Sequence, residues 1–167
     1  MQLHYYENIY EPEFDLGTLS PEERVWVGQH HFSDDFPVVA AIILHYLTLG
    51  IFSFIFYGLK HDDLPKLKND DPNGLAAALL MFVPLFNYYW RFMCWVRLVR
   101  RLEFQYRLKG LACPVNKDLA IACMVCTFIP LANLVNFFIL MPILISRIQA
   151  AIDGLNMDNQ YNTSYSS

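Results

Sequence analysis

Three long stretches of this chain carry no Asp, Glu, Lys or Arg, and charged segments separate them. They run over 36–59, 72–90 and 119–146, which is 24, 19 and 28 residues. A helix rises ~1.5 Å per residue, so ~20 apolar residues match a hydrocarbon core ~30 Å thick. The pattern predicts an all-α integral membrane bundle with spans over 36–59, 73–97 and 119–146. The third stretch is longer than one crossing needs and contains Pro130 and Pro142. If it folds back as a re-entrant hairpin, the bundle has four spans and the tail returns to the starting side. The competing reading, a soluble protein with buried core helices, needs more polar chain around those helices than the remaining segments supply.

Cap chemistry agrees with these starts. Asp35 precedes Phe36-Pro37, Asn73 precedes Gly74, and Asn116 and Asp118 precede the third apolar run. Within the acidic arm 1–35, Ser20-Pro21-Glu22-Glu23 combines an N-cap, a proline at the first helical position and a glutamate at the third. It predicts a short interfacial helix through His31, anchored by Val25, Trp26 and Val27. The second span continues past its first charges, since Trp95, Leu98, Val99, Leu102 and Tyr106 form an apolar stripe as far as Gly110 and Pro114. The transmembrane domain covers 36–155, and residues 156–167 read as a mobile polar tail.

An internal repeat is the most specific pattern. Phe82-Val83-Pro84-Leu85-Phe86-Asn87 aligns with Phe128-Ile129-Pro130-Leu131-Ala132-Asn133 at an offset of 46 residues. The alignment continues through Phe92 with Phe138 and Arg101 with Arg147, and Thr48-Leu49-Gly50-Ile51-Phe52 is a looser relative. Proline removes a backbone hydrogen bond and kinks a helix, and Asn87 or Asn133 can cover the exposed backbone or bond to a neighbouring helix. Pro84, Asn87, Trp90, Pro130 and Asn133 are therefore expected to set helix packing. A broken-helix binding site of the kind transporters use is the functional alternative.

Composition narrows the class. Hydrophobic residues make up 55% of the chain and charged residues 17%, with a mean hydropathy of +0.26, which argues against a freely soluble globule and against disorder. A net charge of -4 removes the basic field that nucleic-acid binding needs. The first 35 residues hold eight acids and one base, unlike a secretory signal or a mitochondrial presequence. Seven of the twelve bases lie between Arg91 and Asp118. The positive-inside rule then puts residues 1–35 and this basic segment in the cytoplasm, with the loop 60–73 and the tail outside. Arg97, Arg100, Arg101 and Arg107 are candidates for contact with anionic lipid, or with an acidic face of a partner or of the N-terminal arm; alternatively they only enforce topology.

Candidate chemistry is sparse. His45 lies within the first span, where an imidazole can ligate haem or a pigment metal or relay a proton, but the other spans hold no second histidine. A satisfied histidine bonded to a neighbouring helix is the simpler reading. His30 and His31 beside Asp34 and Asp35 make a weak metal site. Cys123 and Cys126 form a CxxC inside an apolar helix with no basic partner and no further zinc ligands, so they read as packing residues, as do Cys94 and Cys113. Phosphate loops, nucleophile elbows and paired carboxylates are missing from the sequence. It gives no ground for an enzyme or a bound cofactor.

The segments Thr48-Leu49-Gly50-Ile51-Phe52, Val83-Pro84-Leu85-Phe86-Asn87-Tyr88-Tyr89-Trp90 and Ile148-Gln149-Ala150-Ala151-Ile152-Asp153-Gly154-Leu155 resemble small bacterial integral-membrane proteins. They are similar to the group of the domain of unknown function 4234, across roughly 36–155. Ile55 stands where that group has Trp in the first span. The resemblance implies a multi-span helical bundle in a bacterial cell membrane and transfers no catalytic residue. The reading that follows is a non-catalytic membrane accessory or scaffold protein whose partners are lipids, copies of itself or a membrane assembly. A transporter component built on Asn87, Asn133, Asn136 and His45, or a pigment- or haem-binding subunit, is the alternative.

Overall fold

A computed structural model of the chain describes residues 9–165 apart from 12 and 33–35, with side chains placed as far as 157. Among the described residues every regular element is helical: α1 (Pro21–Gly28), α2 (Val38–Leu47), α3 (Ile51–Leu59), α4 (Gly74–Leu79), α5 (Phe86–Leu108), α6 (Lys117–Cys126), α7 (Pro130–Val135) and α8 (Met141–Tyr165). A π-helical segment, Asn136–Leu140, joins α7 to α8. The expected caps at Ser20, Asn73 and Asn116 are present. Ser20 and Glu23 form a reciprocal capping box, and the Asn73 and Asn116 side chains accept from Ala76 N and Leu119 N. Asp35 lies outside the described residues.

Each of the three apolar stretches reverses direction near its middle. In the first, Leu49 and Gly50 take left-handed conformations (φ 51° and 89°), and Gly50 N–H donates to the His45 carbonyl at 2.7 Å. The Thr48 hydroxyl serves both arms, donating to the Leu44 carbonyl at 2.7 Å and accepting from Phe52 N at 2.9 Å. α2 and α3 therefore run antiparallel, with Phe36 against Phe56 at 4.8 Å. In the second stretch α4 packs back on α5, and the Trp90 indole donates to the Ala77 carbonyl at 3.2 Å. In the third, the Asn136 amide returns to the Thr127 hydroxyl at 3.1 Å.

The expected single spans over 36–59 and 73–97 are thus two helices each. Among the described residues one helix, Pro130–Met157, is long and apolar enough to cross a membrane by length and composition. The proline repeat marks chain reversals rather than kinks within a span. Proline disfavours the α region for the residue before it, and Val83 (ψ 116°) and Ile129 (ψ 113°) are extended, which ends the incoming helix. The Val83 and Ile129 carbonyls then accept from Asn87 N at 2.9 Å and Asn133 N at 2.7 Å, so the same bond opens both outgoing helices.

α5 and the lower part of α8 form the centre of the bundle, where Trp95, Leu98, Val99, Leu102, Leu144, Ile145, Ile148 and Ile152 are fully buried. At Gly154 a side chain would collide with the Tyr106 hydroxyl, which donates to Ala151 O at 3.0 Å. Pro142 has no N–H to offer the carbonyl of Phe138 four residues earlier, and the Tyr46 hydroxyl takes that place at 2.9 Å. Residues 156–165, expected as a mobile tail, continue the helix, since extending a docked helix needs no new nucleation.

Candidate functional site

The three reversals, 48–50, 83–85 and 127–129, meet at one end of the bundle. Tyr88 and Phe128 pack ring to ring at 5.5 Å, and His45 lies against Phe137 at 4.8 Å. Between them is a cavity of about 120 Å³ that opens to the outside. Leu49, Phe54, Met124, Phe128, Phe137 and Met141 supply its apolar lining. His45, Tyr88, Arg91, Thr127, Asn133 and Asn136 supply the polar part.

His45 is 1% exposed in the last turn of α2, with Nδ1 2.9 Å from the Ser53 hydroxyl across the hairpin, and Nε2 has no hydrogen-bond partner of normal geometry. A side chain at Gly50 would sit 3.4 Å from the imidazole. Asn136 is also buried; its Nδ2 donates to Thr127 while Oδ1 is left without a partner. Arg91, in the second turn of α5, lays its guanidinium 3.7 Å from the centre of the Phe54 ring. Among the described residues no carboxylate pairs with it.

Of the residues singled out by sequence, His45, Asn133 and Asn136 are brought together here, while Asn87 is not. The Phe137 ring packs against the imidazole at 4.8 Å. Pro84 and Pro130 sit at the reversals, and Trp90 stacks on Phe86 at 5.5 Å beneath the second one. Arg91 and Thr127 are not singled out by the sequence, and Tyr88 stands out there only as a packing residue. Arg91 had a signal: it is the first charge after a 19-residue apolar run, and positions 87, 88, 94 and 95 around it on the helix hold no acid.

The arginines further along α5 turn inward at the opposite end. Arg101 is fully buried and so cannot reach lipid headgroups. Its guanidinium donates to the His61 and Pro65 carbonyls at 2.9 Å and to that of Leu64, and lies 2.9 Å from His61 Nδ1. Arg97 pairs with Asp70 and with Asp71 at 2.9 Å, and Tyr10 donates to Asp71. Arg107 donates to the Glu11 and Phe14 carbonyls, each at 2.8 Å. These three residues bind the loop 60–73 and the N-terminal arm to the bundle, and Arg100 borders a separate groove beside Glu103. Burial, reinforced by Arg101, pushes the His61 imidazole down to about 3. The hydrogen bond from Arg97 holds Asp70 below the usual carboxylate range, and burial raises Glu103.

His30 Nδ1 lies 3.1 Å from the Gly28 carbonyl, and Asp34 and Asp35 fall outside the described residues. Among the described residues no group of three or more His, Cys, Asp or Glu could hold a metal ion, and the four cysteines are free thiols. Comparison with protein-family models, with curated proteins and with solved structures finds no match. The likeness to the domain of unknown function 4234 group rests on the motif residues alone.

Proposed function

We propose that this is a non-catalytic membrane accessory or scaffold protein that enters a membrane from one side with its apolar end first. The observation that carries the reading is the sorting of its surface. Leu47, Leu49, Leu85 and Leu131, at the reversals, are 75, 78, 88 and 81% exposed, whereas the ion pairs of Lys60 and Arg97 lie at the far end. An apolar patch of this kind in water is unfavourable by ~25 cal/mol per Å² and marks a surface that some other phase covers. The arms α2, α3 and α6 hold 10, 9 and 10 residues. At ~1.5 Å per residue they reach about 15 Å, the depth of one leaflet.

Three full crossings would separate the loop 60–73 from the loop 109–116 by the thickness of the bilayer. In this fold both lie at the polar end, where Arg101 holds the first and Glu103 accepts from Lys117 N at 2.8 Å in the second. A crossing by the helix Pro130–Met157 alone would draw the buried residues Leu144, Ile148 and Ile152 out of the core. Entry by the tips leaves the core intact and frees the polar end to meet headgroups, a membrane-protein partner or a second copy.

Flotation with phosphatidylcholine–phosphatidylglycerol vesicles tests the reading. The protein is expected to float and to resist a high-salt wash, and Leu49→Asp with Leu85→Asp to lower the floated fraction several-fold. A wild-type chain that stays monodisperse and folded in buffer without surfactant contradicts it. The gathering of His45, Asn133 and Asn136 on one cavity favours a second reading, a solute-transporting component. Substrate-dependent uptake into liposomes that Asn133→Leu abolishes would support it.

A further inference from the structure

We propose that the cavity between the hairpin tips binds one anionic amphiphile, its carboxylate or phosphate held by Arg91 and its acyl chain lying along the apolar mouth. A guanidinium keeps its charge in any surroundings, and in an apolar setting it needs a counter-charge or acceptors for its N–H groups. Arg97 has Asp70 and Asp71, and the N–H groups of Arg101 are taken up by the His61, Leu64 and Pro65 carbonyls, but among the described residues no acid pairs with Arg91. Phe54 covers one face of its guanidinium and leaves the N–H edge, the part that matches a carboxylate or phosphate with two parallel bonds.

A second, independent observation points the same way. A buried polar atom on the cavity wall, Asn136 Oδ1, has no partner, although buried polar atoms are as a rule hydrogen-bonded. The Asn136 carbonyl oxygen suits a hydroxyl of the same headgroup. Apart from Tyr88, Thr127 and Asn133 the rest of the lining is apolar, and the mouth opens beside Leu49 and Phe128, which are 78 and 57% exposed. A free inorganic anion would leave those side chains uncovered, and an acyl chain covers them. The proposal rests on the membrane reading for the source of the ligand, the lipid phase.

The test uses the full chain in a non-ionic detergent, with binding and stoichiometry read by native mass spectrometry and by titration. The probes are oleate, dodecyl phosphate, oleyl alcohol and inorganic phosphate. Oleate and dodecyl phosphate are expected to bind one per chain, with oleyl alcohol at least tenfold weaker and inorganic phosphate weaker still. Arg91→Gln should weaken oleate at least tenfold with an unchanged far-ultraviolet circular dichroism spectrum, and Arg91→Lys should restore part of the loss. If Arg91→Gln does not fold, the ratio of oleate to oleyl alcohol on the wild-type chain decides. Equal binding of acid and alcohol, or oleate binding indifferent to Arg91→Gln, overturns the proposal. Inorganic phosphate binding as tightly as dodecyl phosphate overturns the amphiphile in favour of a small-anion site. Flotation is read separately, so a chain that binds oleate but does not float refutes the membrane reading and leaves the site standing.

Discussion

Arg101 shows how a single residue type takes opposite roles according to direction. The sequence gives its charge and its place in a basic run, but charge counts do not say whether a side chain points to solvent or to backbone carbonyls. Its partners lie 36 to 40 residues away, beyond the reach of any local pattern. Arg101→Met should leave those buried carbonyls and His61 unsatisfied and cost at least ~3 kcal/mol in chemical unfolding, while Arg101→Lys recovers only part. His61 adds a pH dependence. Its folded value of about 3 lies below the ordinary 6.5, so the unfolded chain binds the proton more readily. Stability from this group is complete above pH 6.5 and falls by ~1.4 kcal/mol per pH unit as the pH drops from there toward 3. Asp70, depressed by Arg97, acts in the same direction at lower pH, and Glu103, raised by burial, acts against it. Unfolding curves at stepped pH should therefore flatten between pH 6.5 and 4 in His61→Asn, and parallel profiles for the two proteins would refute the assignment.

At the scale of elements, helix starts were legible and reversals were not. Ser20, Asn73 and Asn116 announce helices by local chemistry that the fold retains. The Pro-Leu-x-Asn repeat was visible as a repeat, yet hydropathy has no sign of direction, and 24 apolar residues look alike whether they cross or fold back. Left-handed leucines at 49 and 85 are a further reason, since a sequence reader expects glycine there. Thr48 ends α2 and opens α3 with one hydroxyl, so Thr48→Val should cost ~1–2 kcal/mol of unfolding free energy. Tyr46→Phe frees the Phe138 carbonyl within the π segment and should cost ~1 kcal/mol, measured the same way. The polar members of the cavity were half legible. His45, Asn133 and Asn136 stood out as polar residues in apolar runs, whereas Thr127 and Tyr88 join them only through the reversals.

The whole molecule is a bundle with two unlike ends, an apolar one made of chain reversals and a polar one clamped by arginines from α5. Its central claim is that each apolar stretch enters and leaves the membrane on one side. A Cys113→Ser protein carrying Lys66→Cys and Leu111→Cys, reconstituted in sealed vesicles and treated with a membrane-impermeant maleimide, tests this most directly through the intact mass of each chain. Same-side loops give chains with no label or two, in proportions set only by vesicle orientation. A population dominated by chains with a single label would put the two loops on opposite faces and contradict the account.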